Sequence, residues 1–178
     1  MATLQLSIAI PYHGDRWKWT KNTLDNVHDD IRVTEVMITA EPSTDMNELH
    51  QASAPYKKVS VHANDRQLFV FRNKIKAVSL CSSPFVLVAD SDNVFEKSYI
   101  DIIEESTLSL STAPPTVLQP AYLHPAFDGR CFYGKTINKK NLKSYLGMDM
   151  FFTLLNAMNC VVPRIPWISI MEPLSHQE

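Results

Sequence analysis

Apolar residues in this chain gather into short runs closed by proline or small polar residues, and between the runs they recur at helical spacing. Leu4 to Ile10 (Leu-Gln-Leu-Ser-Ile-Ala-Ile) predicts a first strand ended by Pro11, with a loop over Tyr12 to Asp15. Trp17, Thr20, Leu24 and Val27 then follow one helical face. Glu35 to Ala40 predicts a second strand, and Glu41-Pro42-Ser43-Thr44-Asp45 a loop at the same edge of the sheet. Lys58 to Ala63 predicts a short third strand, after which Asn64-Asp65 offers a cap for a helix with Leu68, Phe71, Ile75 and Val78 inward. Phe85 to Ala89 is an unbroken apolar run, the mark of a strand covered on both faces. A helix from about Lys97 should turn Tyr99, Ile102 and Ile103 toward the core.

This alternation of strand and helix predicts an α/β fold, a mostly parallel Rossmann-like sheet flanked by helices. Beyond Glu105 the pattern changes. Thr116 to Gln119 reads as a strand, and Pro120 to Gly134 as a long loop carrying Tyr122, His124, Phe127, Phe132 and Tyr133. Phe151, Leu154, Leu155 and Met158 give a late helical face with Asp149 at its start. From Cys160 onward, Pro163, Pro166 and Pro173 predict strand and loop rather than helix.

A length of 178 residues suits one domain, with no internal repeat. The short length allows it to be one domain of a longer polypeptide. The net charge of −2 offers no basic field for nucleic acid. No apolar run approaches a membrane span. Cys81, Cys131 and Cys160 are odd in number and widely spaced, which argues against a disulfide framework or a zinc cluster and suits a reducing, cytoplasmic setting. With only Gly14, Gly129, Gly134 and Gly147 present, neither a dinucleotide fingerprint nor a P-loop can be written.

The chemistry concentrates where the buried run ends, at Asp90-Ser91-Asp92. Open α/β sheets bind ligands beyond the carboxyl ends of their strands, and two carboxylates on a tight turn suit a hard cation that also holds phosphate oxygens. The reading is a Mg2+ or Mn2+ site at a phosphorylated ligand.

Four stretches then resemble the nucleotide-sugar-binding core of glycosyltransferase family 2, with its GT-A fold. "LSIAIPYHGDR" is similar to that family's opening strand and polar loop, which implies that Pro11, Tyr12, His13 and Arg16 border the nucleotide. "EVMITAEPSTD" is similar to its second strand, with Glu41 where an aspartate that contacts the base or ribose is usual. "NDRQLFVFRNKIKAVSLCSSPFVLVADSDNV" resembles its Arg-Asn helix and metal-binding Asp-x-Asp. This implies Asp90 and Ser91 at the ribose and diphosphate, Asp90 and Asp92 at the metal, and Arg72 on the nucleotide or the aspartates. "YLGMDMFFTLL" resembles its acidic motif, which implies Asp149 as general base, with Met148 in place of the usual glutamate. His176 is the candidate for a late metal-binding histidine. The resemblance implies a Mn2+- or Mg2+-dependent enzyme that moves a sugar from a nucleoside-diphosphate-sugar, a UDP-sugar above others, to a glycan, glycoprotein or glycolipid hydroxyl with inversion.

Rival readings of the same residues stay open. Arg72 pairs structurally with Asp65 or Asp92, Asp149 merely starts a helix, Glu41 is a loop acid, and the aromatics of the long loop close the sheet edge. "VLVADSDNV" also resembles haloacid-dehalogenase-type phosphatases, in which Asp90 would be the nucleophile. A sugar-nucleotide-binding module without a working base is the non-catalytic alternative.

Overall fold

The computed structural model describes residues 4–109, 116–120, 122–123, 127–128, 130–132, 134–145 and 159–175. Its centre is a five-stranded sheet of β1 (Leu6–Tyr12), β2 (Val33–Ala40), β3 (Val59–Ala63), β4 (Phe85–Val88) and β7 (Cys160–Pro163), in the order β3-β2-β1-β4-β7. The first four strands run parallel and β7 closes the edge antiparallel to β4. A separate hairpin pairs β5 (Tyr122–Leu123) with β6 (Phe127–Asp128) inside the long loop.

Side chains alternate across each strand and build two cores. Leu6, Ile8 and Ile10 of β1 point to one face, where Leu24 and Val27 of α1 (Trp17–Val27), Leu49 of α2 (Met46–Ser53) and Ile100 and Ile103 of α4 (Lys97–Ser109) cover them. Ala9, Met37, Val86, Val88 and Val162 point the other way, against Ile75, Ala77 and Val78 of α3 (Phe69–Leu80) and Trp167 of α5 (Arg164–Ser175). The expected helix-flanked α/β sheet is therefore what forms, with each βα connection delivering its loop to one edge.

Several elements differ from their sequence patterns. β1 runs through Pro11 instead of ending there. The carbonyl of Ala9 accepts from Ala89 N–H on the β4 side. Two residues on, Pro11 faces that same side beyond the last paired residue of β4, where no donor is needed. Helix α2 had no strong apolar signal and owes its start to Asp45, whose carboxylate accepts the N–H groups of Asn47 and Glu48 at 3.0 and 3.1 Å.

Helix α3 begins at Phe69 and not near Asn64, with Phe71 exposed and Asn73 and Lys74 buried in its place. In α4, Ile100 and Ile103 face inward and Ile102 is exposed. The strand expected at Thr116 to Gln119 reduces to a single bridge between Leu118 and Val161. Of the proline-rich tail, Cys160–Pro163 forms the expected strand, but Arg164–Ser175 is a helix rather than a loop. Pro166 lies in the first turn of α5, where N–H groups have no partner within the helix, and Pro173 lies in the last. Between them Trp167 is buried on the second core, with Ile168 and Met171 packed against it.

Candidate functional site at the carboxyl edge of the sheet

The loops after β1, β2, β3 and β4 meet at one edge. Asp90, Ser91 and Asp92 leave the end of β4 in a tight turn closed by Asn93 N–H on the Asp90 carbonyl at 3.1 Å. Three polar residues on one stripe of α1 fix this turn from below. Thr20 Oγ1 donates to the Ser91 carbonyl at 2.9 Å, Thr23 Oγ1 to the Asn93 carbonyl at 2.9 Å, and Asn26 Nδ2 to the Phe95 carbonyl at 2.8 Å. From the other side, Asn159 Oδ1 accepts the Asp90 N–H at 3.2 Å, and the Asn159 carbonyl accepts the Tyr99 hydroxyl at 3.0 Å. Asn159 is buried with φ at 55°, a left-handed conformation that asparagine tolerates better than most residues.

The two carboxylates have unlike surroundings. Lys74 Nζ, on a side chain only 3% exposed, reaches Asp90 Oδ1 at 2.8 Å, and the Asp90 side chain is itself 17% exposed. Arg16, from the N-cap of α1, pairs through Nη1 with Asp92 Oδ2, and these side chains are 30% and 44% exposed. One pair is thus buried and the other open to water.

Other expected site residues also come to this edge. The Tyr12 ring is buried in the wall, its hydroxyl accepting the Arg16 N–H at 3.0 Å, and burial raises its pKa. Pro11 and Ser91 are buried, whereas His13 is exposed on the loop. Glu41 is buried and its carboxylate accepts the Leu68 N–H at 2.9 Å, just before α3. That bond ties the β2 loop to the start of α3, a structural use of the residue expected at a base or ribose. Arg72 stands partly exposed in the first turn of α3. Among the described residues it forms no salt bridge with Asp65 or Asp92, the latter being taken by Arg16. Asp149 and His176, like His124 and Tyr133, lie outside the described residues.

A depression of about 220 Å3 opens on the α1 and α2 side of the β1 loop, lined by Tyr12, Trp17, Thr44, Asp45, Glu48 and Leu49 among others. It includes neither Asp90 nor Asp92, so the chemistry of the carboxylate pair is not housed there. Trp17 packs edge-on against Tyr56 at 6.2 Å, and Trp19 is exposed.

A divalent cation would find two carboxylates at this turn and, among the described residues, no cluster of three metal-binding side chains. That donor set fits Mg2+ or Mn2+, which are commonly bound through one or two carboxylates with water and substrate phosphate completing the shell. Lys74, Asn159 and the Thr20-Thr23-Asn26 stripe are the site-shaping residues the sequence reading did not single out. Only the stripe had a signal, polar residues recurring every three positions on a helix face that should be apolar.

No protein-family model matches the sequence, and no curated protein matches it. In structure the chain is similar to S. aureus TarS. Residues 1–349 of TarS match with a TM-score of 0.61 at 14% identity, covering 90% of this chain and 47% of that one. The same TarS region crystallised with UDP and with UDP-GlcNAc gives TM-scores of 0.59, again at 14% identity. The chain spans about half the length of that TarS region and has the same α/β architecture, a Rossmann-like sheet of the GT-A type.

Proposed function

We propose that this chain is the nucleotide-sugar-binding core of a family-2-like glycosyltransferase, which moves a sugar from a UDP-sugar to an acceptor hydroxyl. The observation that carries the reading is the Asp90-Ser91-Asp92 turn. It sits at the carboxyl end of an inner strand, with Arg16 on Asp92 and Lys74 on Asp90, on a fold shared with a protein crystallised with UDP-GlcNAc. Such an edge matches a diphosphate in charge, because cations stand beside the carboxylates rather than far from them.

Within this reading Asp92, with Asp90, holds Mn2+ or Mg2+, and the bound ion supplies charge neutralisation for the departing diphosphate. Arg16 and Arg72 orient the phosphates, and the Thr20-Thr23-Asn26 stripe keeps the turn rigid so that the donor meets a fixed array. Asp149 takes the proton of the attacking hydroxyl, and attack from the face opposite the leaving group inverts the anomeric carbon. Residues 1–110 bind the donor and 111–178 form the acceptor side, where a glycan, glycoprotein or glycolipid docks.

The test is donor binding and hydrolysis with UDP-, GDP- and dTDP-sugars in Mn2+ or Mg2+ and then in chelator. Metal-dependent release of UDP, abolished in Asp92→Ala, is the expected result. Binding without turnover would reduce the chain to a sugar-nucleotide-binding module. No donor binding, with Asp90-dependent hydrolysis of a simple phosphate ester, would replace the transferase by a phosphatase.

A further inference from the structure

The two aspartates of the turn are held by cations of very different mobility, and this difference assigns them different work. Asp90 faces an ammonium group that is almost wholly buried, on a helix whose neighbouring residues Asn73 and Ile75 are buried too. Breaking a largely buried ion pair of this kind is costly, so the two stay together through a binding cycle. Asp92 faces a guanidinium at the end of a long flexible side chain, in contact with water on both sides of the pair. Exposed pairs of this kind are weak and exchange partners readily.

A divalent cation seeking the open carboxylate therefore meets Arg16 already in place. Ion and guanidinium cannot share that carboxylate cheaply, because the two positive charges repel at close range. Once displaced, the guanidinium stays within a side-chain's length of the β1 loop, since the Arg16 backbone N–H is held on the Tyr12 hydroxyl at 3.0 Å. An arginine tethered there, and made free by the same ion that a diphosphate brings, is suited to paired hydrogen bonds with phosphate oxygens.

The geometry points to Arg16 as an exchangeable counter-ion: it occupies Asp92 in the ligand-free protein, yields that carboxylate to a divalent cation, and turns to the diphosphate that arrives with it. Lys74 keeps Asp90 fixed meanwhile. The inference rests on the transferase reading for the identity of the ligand, and its sign is its own. Arg16 opposes the metal when it comes alone and favours the nucleotide when the two come together.

Binding measurements separate these effects. The affinity of Mn2+ is read by the electron paramagnetic resonance signal of the free ion, and those of UDP and uridine by calorimetry in saturating Mn2+. In Arg16→Ala, Mn2+ alone should bind about two- to fivefold tighter than in the wild type. UDP should bind about tenfold weaker and uridine unchanged, because only the former carries phosphates for the guanidinium. Arg16→Lys should restore the competition with Mn2+ but only part of the UDP affinity.

A wild type that binds Mn2+ and UDP, with an Arg16→Ala whose Mn2+ affinity is unchanged or lower, would overturn the exchange and leave the transferase reading standing. A wild type that binds neither would remove both.

Discussion

Asn159 carries two strains on one residue: its backbone lies in the left-handed region, and its side-chain oxygen is the acceptor for the Asp90 N–H. The left-handed conformation costs an ordinary residue on the order of 1–3 kcal/mol. Losing the acceptor leaves a partly buried N–H unmatched, at roughly 1–3 kcal/mol more. Asn159→Ala should therefore lose about 2–6 kcal/mol of stability, combining both effects. Asn159→Gly should lose only the second part, because glycine accepts a positive φ. Urea denaturation of the two variants checks this order, and equal losses would mean that the backbone conformation carries no cost. The aspartate turn was legible in the sequence, but its support at this position was not. Met158-Asn159-Cys160 shows no turn signature, and the role of Asn159 arises only because β7 returns antiparallel to β4 and sets it beside Asp90. Lys74 was hidden for a related reason. Helical spacing assigns lysine to the solvent side, and its burial makes sense only once a carboxylate sixteen positions later is known to reach it.

The elements show the same division between local and distant causes. Strands β1, β2 and β4 were legible because burial on both faces leaves an almost unbroken apolar run. Helix α5 was not, since its prolines argue against helix locally and its stability comes from Trp167 packed on a core built by residues far away in sequence. At the edge opposite the site, Arg32 joins the α1–β2 turn to α4. It donates to Asp30 through Nε and Nη2 at 2.8 and 2.6 Å, to Asp101 at 2.6 Å and to Glu104 at 2.9 Å. The hydrogen bonds from Arg32 hold the Asp30 carboxyl at about 2, against 3.8 for the free group, although burial alone would raise it. A depressed pKa of this kind contributes stability that is full above the unfolded value and is lost as the pH falls through the folded one. The contribution is about 2 kcal/mol at neutral pH, fading between about pH 4 and pH 2. Asp30→Asn should lose that amount at pH 7 and should flatten the dependence of stability on pH in that window. Denaturation series at several pH values test it, and UDP binding should not change because the cluster stands at the far edge of the sheet.

The described residues set a sheet between two cores and place the exposed Arg16–Asp92 pair at its carboxyl edge. Ligand binding there should stabilise the molecule as a unit, because the turn at Asp90 to Asp92 is tied at once to α1 through Thr20, to β7 through Asn159 and to α3 through Lys74. A ligand present at about 100 times its dissociation constant stabilises the native state by about 2.7 kcal/mol. In a chain of 178 residues this corresponds to a rise in Tm of about 5–10 °C. Mn2+ alone should give less, since it must first displace Arg16 from Asp92 and gains no contact for the released guanidinium. UDP alone meets two neutralised carboxylates and should also give little. Mn2+ and UDP together should therefore raise Tm by more than the sum of their separate shifts, and chelator should reverse the gain. Thermal denaturation with each ligand alone and with both decides the point. Strictly additive shifts would mean that ion and nucleotide bind independently, and the coupling assigned to Arg16 would have no thermodynamic effect.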